Sequence, residues 1–262
     1  MAGNIVRTKQ MRIIHDLLAE LSLDAKVKDI SQGPFQTAVL TKNCGLASTP
    51  HWNNHPQGDI AVKEAGELTN KTTPELANMA LSLNPFEAAI GMATINSLID
   101  VEERRCVEMN AADLLVKRGK DKNVALVGHF PFVQKLSQAA KCLWVIEKHP
   151  QEGDNTESEA ESLIPQAEVV GITGSAFINH TIEHLLALCS PKAYILVLGG
   201  TTPLSPVLFD YGVDAISGTK VTDANMVLKC VSQGATFRQL KGIKLLIMMR
   251  EKGTILLNTM AT

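Results

Sequence analysis

Residues able to do chemistry are spread thinly along this chain, and their spacing narrows what they can do. His180-Thr181-Ile182-Glu183-His184 matches the inverted zinc-protease pattern H-x-x-E-H. On a single helix that spacing sets two imidazoles on one face. The setting argues against a protease, because the motif follows a buried apolar strand within alternating α/β units. The expected arrangement is a helix capped by Ser175 or Asn179, with His180 facing a cleft and His184 structural. Such a helix start would favour an anion. His51 and His55 lie four apart in the polar stretch 48–58. No carboxylate or cysteine lies at close spacing, so a surface loop is expected rather than a metal site. Glu152, Asp154, Glu157, Glu159 and Glu161 form an acidic run without the glycine and spacing of a calcium loop. Thr156 with Glu159 reads instead as a capping box.

Nucleophiles are no better placed. Cys44, Cys106, Cys142, Cys189 and Cys230 are scattered and form no C-x-x-C. Cys142 and Cys189 sit at the edges of apolar elements, where cysteine is a small core residue. Gly174-Ser175 lacks the flanks of the hydrolase elbow G-x-S-x-G.

The elements that must position these residues centre on 167–206, which reads strand, Gly/Thr/Ser turn, amphipathic helix, strand, Gly/Thr turn. Two apolar runs flanking a helix predict parallel strands buried on both faces. Ligands of such sheets bind at the carboxyl ends of the strands. That places Thr173, Gly174, Ser175, Asn179 and Thr181 after one strand at a ligand site. Gly199, Gly200, Thr201, Thr202 and Ser205 join them after the next, offering free amides and hydroxyls. Upstream, 123–128 is a strand that runs into Gly128-His129-Phe130. The fingerprint G-x-G-x-x-G is absent, and the His129 and Phe130 side chains would block a pyrophosphate. Standard NAD or FAD binding is therefore disfavoured. Glu147 ends the following strand about twenty residues beyond Gly128, where nucleotide folds hold a ribose hydroxyl. Strands near 214–217 and 244–248 and a helix at 223–231 complete a doubly wound parallel sheet.

The first half reads differently. A helix at 8–21 precedes strands at 27–30 and 35–41, joined at Gln32-Gly33-Pro34, and a third short strand after Asn43-Cys44-Gly45. Helices then start at Thr73-Pro74-Glu75, with Thr73 as N-cap, at Asn84-Pro85, and at Asn110. The second of these carries Ala88, Ala89, Gly91, Ala93 and Thr94, small enough for close packing against a backbone or a ligand.

The totals set outer bounds. The 262 residues are 45% hydrophobic and 20% charged, enough to bury a core. A net charge of -2 with 4% aromatics argues against a nucleic-acid partner. No run is long enough for a membrane span, and the start lacks a continuous apolar core for export. An odd number of unpatterned cysteines fits a reducing cytoplasm. A homodimer is the default assembly.

Three stretches together resemble a known family. They are Val127-Gly128-His129-Phe130-Pro131; Thr173-Gly174-Ser175 with Asn179-His180-Thr181; and Gly199-Gly200-Thr201-Thr202-Pro203-Leu204-Ser205-Pro206 followed by Phe209-Asp210-Tyr211-Gly212-Val213-Asp214. The chain is similar over nearly its whole length to the prokaryotic "putative heavy-metal chelation" proteins, a domain family of unknown function. The resemblance implies an α+β domain like the enolase N-terminal domain at 1–108. It implies a Rossmann-like α/β domain at 109–262, with a site between the two. It gives the motif residues no roles.

The expected function is binding of a small anionic or metal-chelating ligand in that cleft, with a role in heavy-metal chelation. His129 and His180, with Glu147, would then serve a transition-metal ion whose shell the organic ligand completes. The alternative is a transferase or lyase using a nucleotide-like cofactor such as S-adenosylmethionine. A non-catalytic scaffold is the third possibility.

Overall fold

The fold comes from a computed structural model that describes residues 11–50 and 61–250. His51 and His55 lie outside the described residues. The first half opens with helix α1 (Arg12–Glu20), whose apolar stripe buries Ile13, Ile14 and Leu17. Strands β1 (Asp29–Gln32), β2 (Gln36–Leu40) and β3 (Cys44–Ser48) follow as an antiparallel meander in that order. Helix α2 (Thr73–Asn78) starts one residue earlier than the sequence suggests. Thr72, not Thr73, is its N-cap and completes a capping box with Glu75. Helix α3 (Pro85–Leu98) is capped by Asn84 and buried almost all round. Its small residues meet backbone: a Cβ on Gly91 would lie 1.9 Å from Ala80 N, and one on Gly45 of β3 2.1 Å from Ala93 O.

Strand β4 (Cys106–Glu108) already belongs to the large sheet, ahead of the expected division at 108/109. Helix α4 (Ala111–Gly119), capped by Asn110, leads to β5 (Asn123–Val127), α5 (Val133–Ala139) and β6 (Cys142–Glu147). The acidic run forms β7 (Asn155–Thr156), the expected Thr156–Glu159 capping box and α6 (Ala160–Leu163). Strand β8 (Val169–Thr173) follows. The single helix expected after it is two: α7 (Ser175–Ile178) and α8 (Ile182–Leu188). His180 breaks it with a left-handed φ of 56°, and neither Ser175 nor Asn179 caps it. The rest is β9 (Tyr194–Leu198), α9 (Val207–Asp210), β10 (Ala215–Val221), α10 (Ala224–Ser232) and β11 (Ile243–Met249).

The large sheet has eight strands in the order β4-β11-β10-β9-β8-β5-β6-β7. From β7 to β10 all neighbours are parallel, as the apolar runs require. The last expected parallel strand is a departure: β11 pairs antiparallel with β10 and with β4. The reason is α10, which leaves the sheet and packs on the small meander. There Val227, Val231 and Leu240 share a core with Ala38, Cys44 and Leu46. No described helix is long and apolar enough to cross a membrane.

Candidate functional site

In the large sheet β5 is flanked by β6 on one side and β8 on the other. The chain winds outward from β5 in one direction, then returns to wind in the other. Such a reversal leaves a crevice beyond the carboxyl ends of the strands. Here that crevice is a cavity of about 590 Å³. Its floor is Val127 and Gly128 after β5, Ile146 and Glu147 at the end of β6, and Thr173 at the end of β8. One wall is Ser175, Ala176, Ile178, Asn179 and Thr181. The facing wall comes from the small meander, with Phe35, Gln36, Ser48, Thr49 and Pro50, joined by Thr236 and Phe237.

Six of the sequence-predicted residues therefore meet at the cavity: Gly128, Glu147, Thr173, Ser175, Asn179 and Thr181. Gly128 has φ 105°, which favours glycine, and a Cβ there would also lie a tight 3.0 Å from both Phe130 Cε2 and Thr173 Cβ. Glu147 is already committed to backbone. Its Oε1 accepts from His129 N at 2.8 Å and its Oε2 from Lys148 N at 3.0 Å. The helix start expected to favour an anion belongs to α7, which has only four residues and no side-chain cap.

The other predicted residues lie off the cavity lining. His129 turns to the rim, where Nδ1 meets the buried carboxylate of Asp154 at 2.9 Å. Phe130 packs against the second apolar cluster and stacks on Phe132 with ring centroids 5.2 Å apart. His180 is half-buried, and its Nε2–H donates to Ala80 O at 2.8 Å. Burial lowers its pKa below 6.5, against the opposing effect of that carbonyl. His184 pairs with Glu161 at 2.9 Å. Several of the groups expected to be free are engaged instead, while Thr202 Oγ1 is buried without a hydrogen-bond partner among the described residues. Gly199 N donates to Ser217 O, Thr202 N to Gly199 O, and Ser205 Oγ accepts from Val207 N. Thr201 Oγ1 accepts from Ser48 N, and its carbonyl from Asn96 Nδ2. A Cβ on Gly174 would lie 2.5 Å from Thr202 Oγ1. This loop fastens the two halves together.

Among the described residues no group of three or more His, Cys, Asp or Glu could hold a metal ion. His129, His180 and Glu147 thus do not gather into one ligand set. All five cysteines are free. Burial pushes the Cys44 and Cys189 thiols up to about 12. Sequence reasoning missed Phe35, Gln36 and Phe237. Gln36 begins a strand whose next three residues are also buried, so nothing in its spacing marks it.

Two family models, both described as "Putative heavy-metal chelation", match the chain. One, DUF4213, covers residues 14–99, and the other, DUF364, covers residues 110–249. An uncharacterized protein of Methanocaldococcus jannaschii is 27% identical over 241 residues, 85% of this chain and 90% of that protein. The chain is also similar to two solved DUF364-family structures of unknown function. That from Desulfitobacterium hafniense has a TM-score of 0.80 at 25% identity, covering 93% of this chain and 100% of the other. That from Pyrococcus horikoshii has a TM-score of 0.77 at 21% identity, covering 92% and 99%.

Proposed function

We infer that this chain, which belongs to the DUF364 family described as "Putative heavy-metal chelation", binds a small anionic or metal-chelating organic ligand in the cavity between its halves. One observation carries this reading. The carboxyl ends of β5, β6 and β8 meet the edge of the small meander around a cavity of about 590 Å³, the size range of ligand sites. The family description names a heavy metal, and the described side chains do not fit a bare ion. Soft metals favour thiolates. Burial holds the Cys44 and Cys189 thiols up at about 12, unlike the depressed values of reactive or ligating thiols, and no three-ligand group forms among the described residues. In this reading metal is cargo that arrives already wrapped by an organic chelator, and the cavity holds the chelator.

Thermal melting of the full chain with zinc and nickel, each as the free ion and as its citrate complex, tests this. The complexes should raise Tm. They should not do so in Ser175→Trp, which fills the cavity. Stabilisation by free ions alone would overturn the reading.

A second reading, a transferase or lyase using a nucleotide-like cofactor, draws support from Glu147. Each of its oxygens accepts one backbone N–H and keeps capacity for another donor such as a ribose hydroxyl. Labelled S-adenosylmethionine retained by the wild type and lost from Glu147→Ala would favour it. No retention by folded wild type counts against it.

A further inference from the structure

Gln36 stands at the start of β2 and lines the cavity. The residue is 5% exposed, and its Oε1 is buried without a hydrogen-bond partner among the described residues. Native proteins pair nearly all such acceptors, because an unpaired one loses its hydration and gains nothing in return. Gln36 is itself a lining residue of the cavity, so a molecule bound there is the candidate source of a donor.

Its neighbours describe the rest of that donor. A Cβ on Gly200 would lie 2.8 Å from Phe237 Cε2 and 3.7 Å from Gln36 Oε1. The absent side chain thus lets an aromatic ring and an amide oxygen close over the same stretch of backbone. Phe35, next to Gln36 in sequence, also lines the cavity and is 38% exposed. The chain has seven phenylalanines, and two of them border this one cavity. Flat apolar surface beside an unpaired acceptor fits a flat ligand with an N–H at its edge. A glutamine amide also matches the amino donor and ring-nitrogen acceptor that adenine presents side by side.

We propose that Gln36 is a specificity-determining residue, recognising the amino edge of a planar nitrogen heterocycle of the adenine type packed against Phe35 and Phe237. This rests on the reading of the cavity as a ligand site. It adds a group that the cavity would favour at one end of a ligand.

Adenosine titrated calorimetrically into the full chain tests it. Wild type should bind adenosine. N6,N6-dimethyladenosine, whose base has no N–H, should bind about tenfold more weakly or worse, as should adenosine to Gln36→Met. Gln36→Met should melt no lower than wild type, because an unpaired acceptor leaves the interior. Failure of wild type to bind adenosine overturns the proposal, as does binding indifferent both to dimethylation and to Gln36→Met. Binding that persists in Ser175→Trp overturns it too. If adenosine fails while a metal–citrate complex still raises Tm, the cavity reading stands and this one falls.

Discussion

Glu183 reaches across the molecule to cap a helix that has no side-chain cap of its own. Helix α1 begins after Met11, which offers none, and Glu183 Oε1 accepts from Ile13 N at 2.8 Å. Burial raises the Glu183 carboxyl above 4.5, outweighing the backbone amides of Ile13 and Arg12 that lower it. The folded chain therefore holds this proton more tightly than the unfolded one. The resulting stabilisation is fully present below 4.5 and is lost as pH rises through the raised value. Glu183→Gln keeps an acceptor and removes the titration. Its stability, followed by urea unfolding across mildly acid to neutral pH, should lack the decline that wild type shows. Glu183→Ala should lose about 1 kcal/mol by leaving the helix end open. The same residue shows how a sequence pattern misdirects. In H-x-x-E-H it reads as part of a metal motif, yet each member finds a separate partner: Ala80 O, Ile13 N and Glu161.

At the scale of elements, the parallel strands are legible because a strand covered on both faces must be apolar throughout. The helix starts at Asn84 and Asn110 are legible because their side chains hold the first free amides. What spacing does not reveal is which surface a helix covers. Helix α10 is amphipathic, and the pattern is the same whether it lies on the large sheet or the small one. The structure puts it on the small one, and β11 consequently returns antiparallel. The break between α7 and α8 is hidden for a similar reason, since a single left-handed residue leaves no periodic trace. The site is half legible on the same grounds. Strand-end residues announce themselves, while Gln36 and Phe237 arrive through tertiary packing. The seating of α10 can be tested at Gly33, where a Cβ would lie 2.2 Å from Val231 O. Backbone cannot yield as a side-chain tip can. Gly33→Ala should therefore destabilise the protein by about 1–3 kcal/mol, read as a lower urea midpoint at unchanged slope.

The whole molecule is held by a core that ignores the division into halves. Ile13, Val39 and Ala93 from the first half share one apolar cluster with Val170, Phe177 and Ile216 from the second. Thr201 with Ser48, Asn96 with Thr201, and His180 with Ala80 add hydrogen bonds across the same boundary. Calorimetric melting should accordingly show one transition, with van't Hoff and calorimetric enthalpies in agreement. Two resolved transitions would show that the halves fold separately. Helix α10 carries a further consequence. By sequence it belongs to the second half, and by packing to the first, so it acts as a strap across the cleft. The halves cannot swing open like a clam without peeling α10 from the meander. The gap between the cavity walls is thus held by that packing, and a ligand of the proposed site would meet it with little rearrangement of backbone.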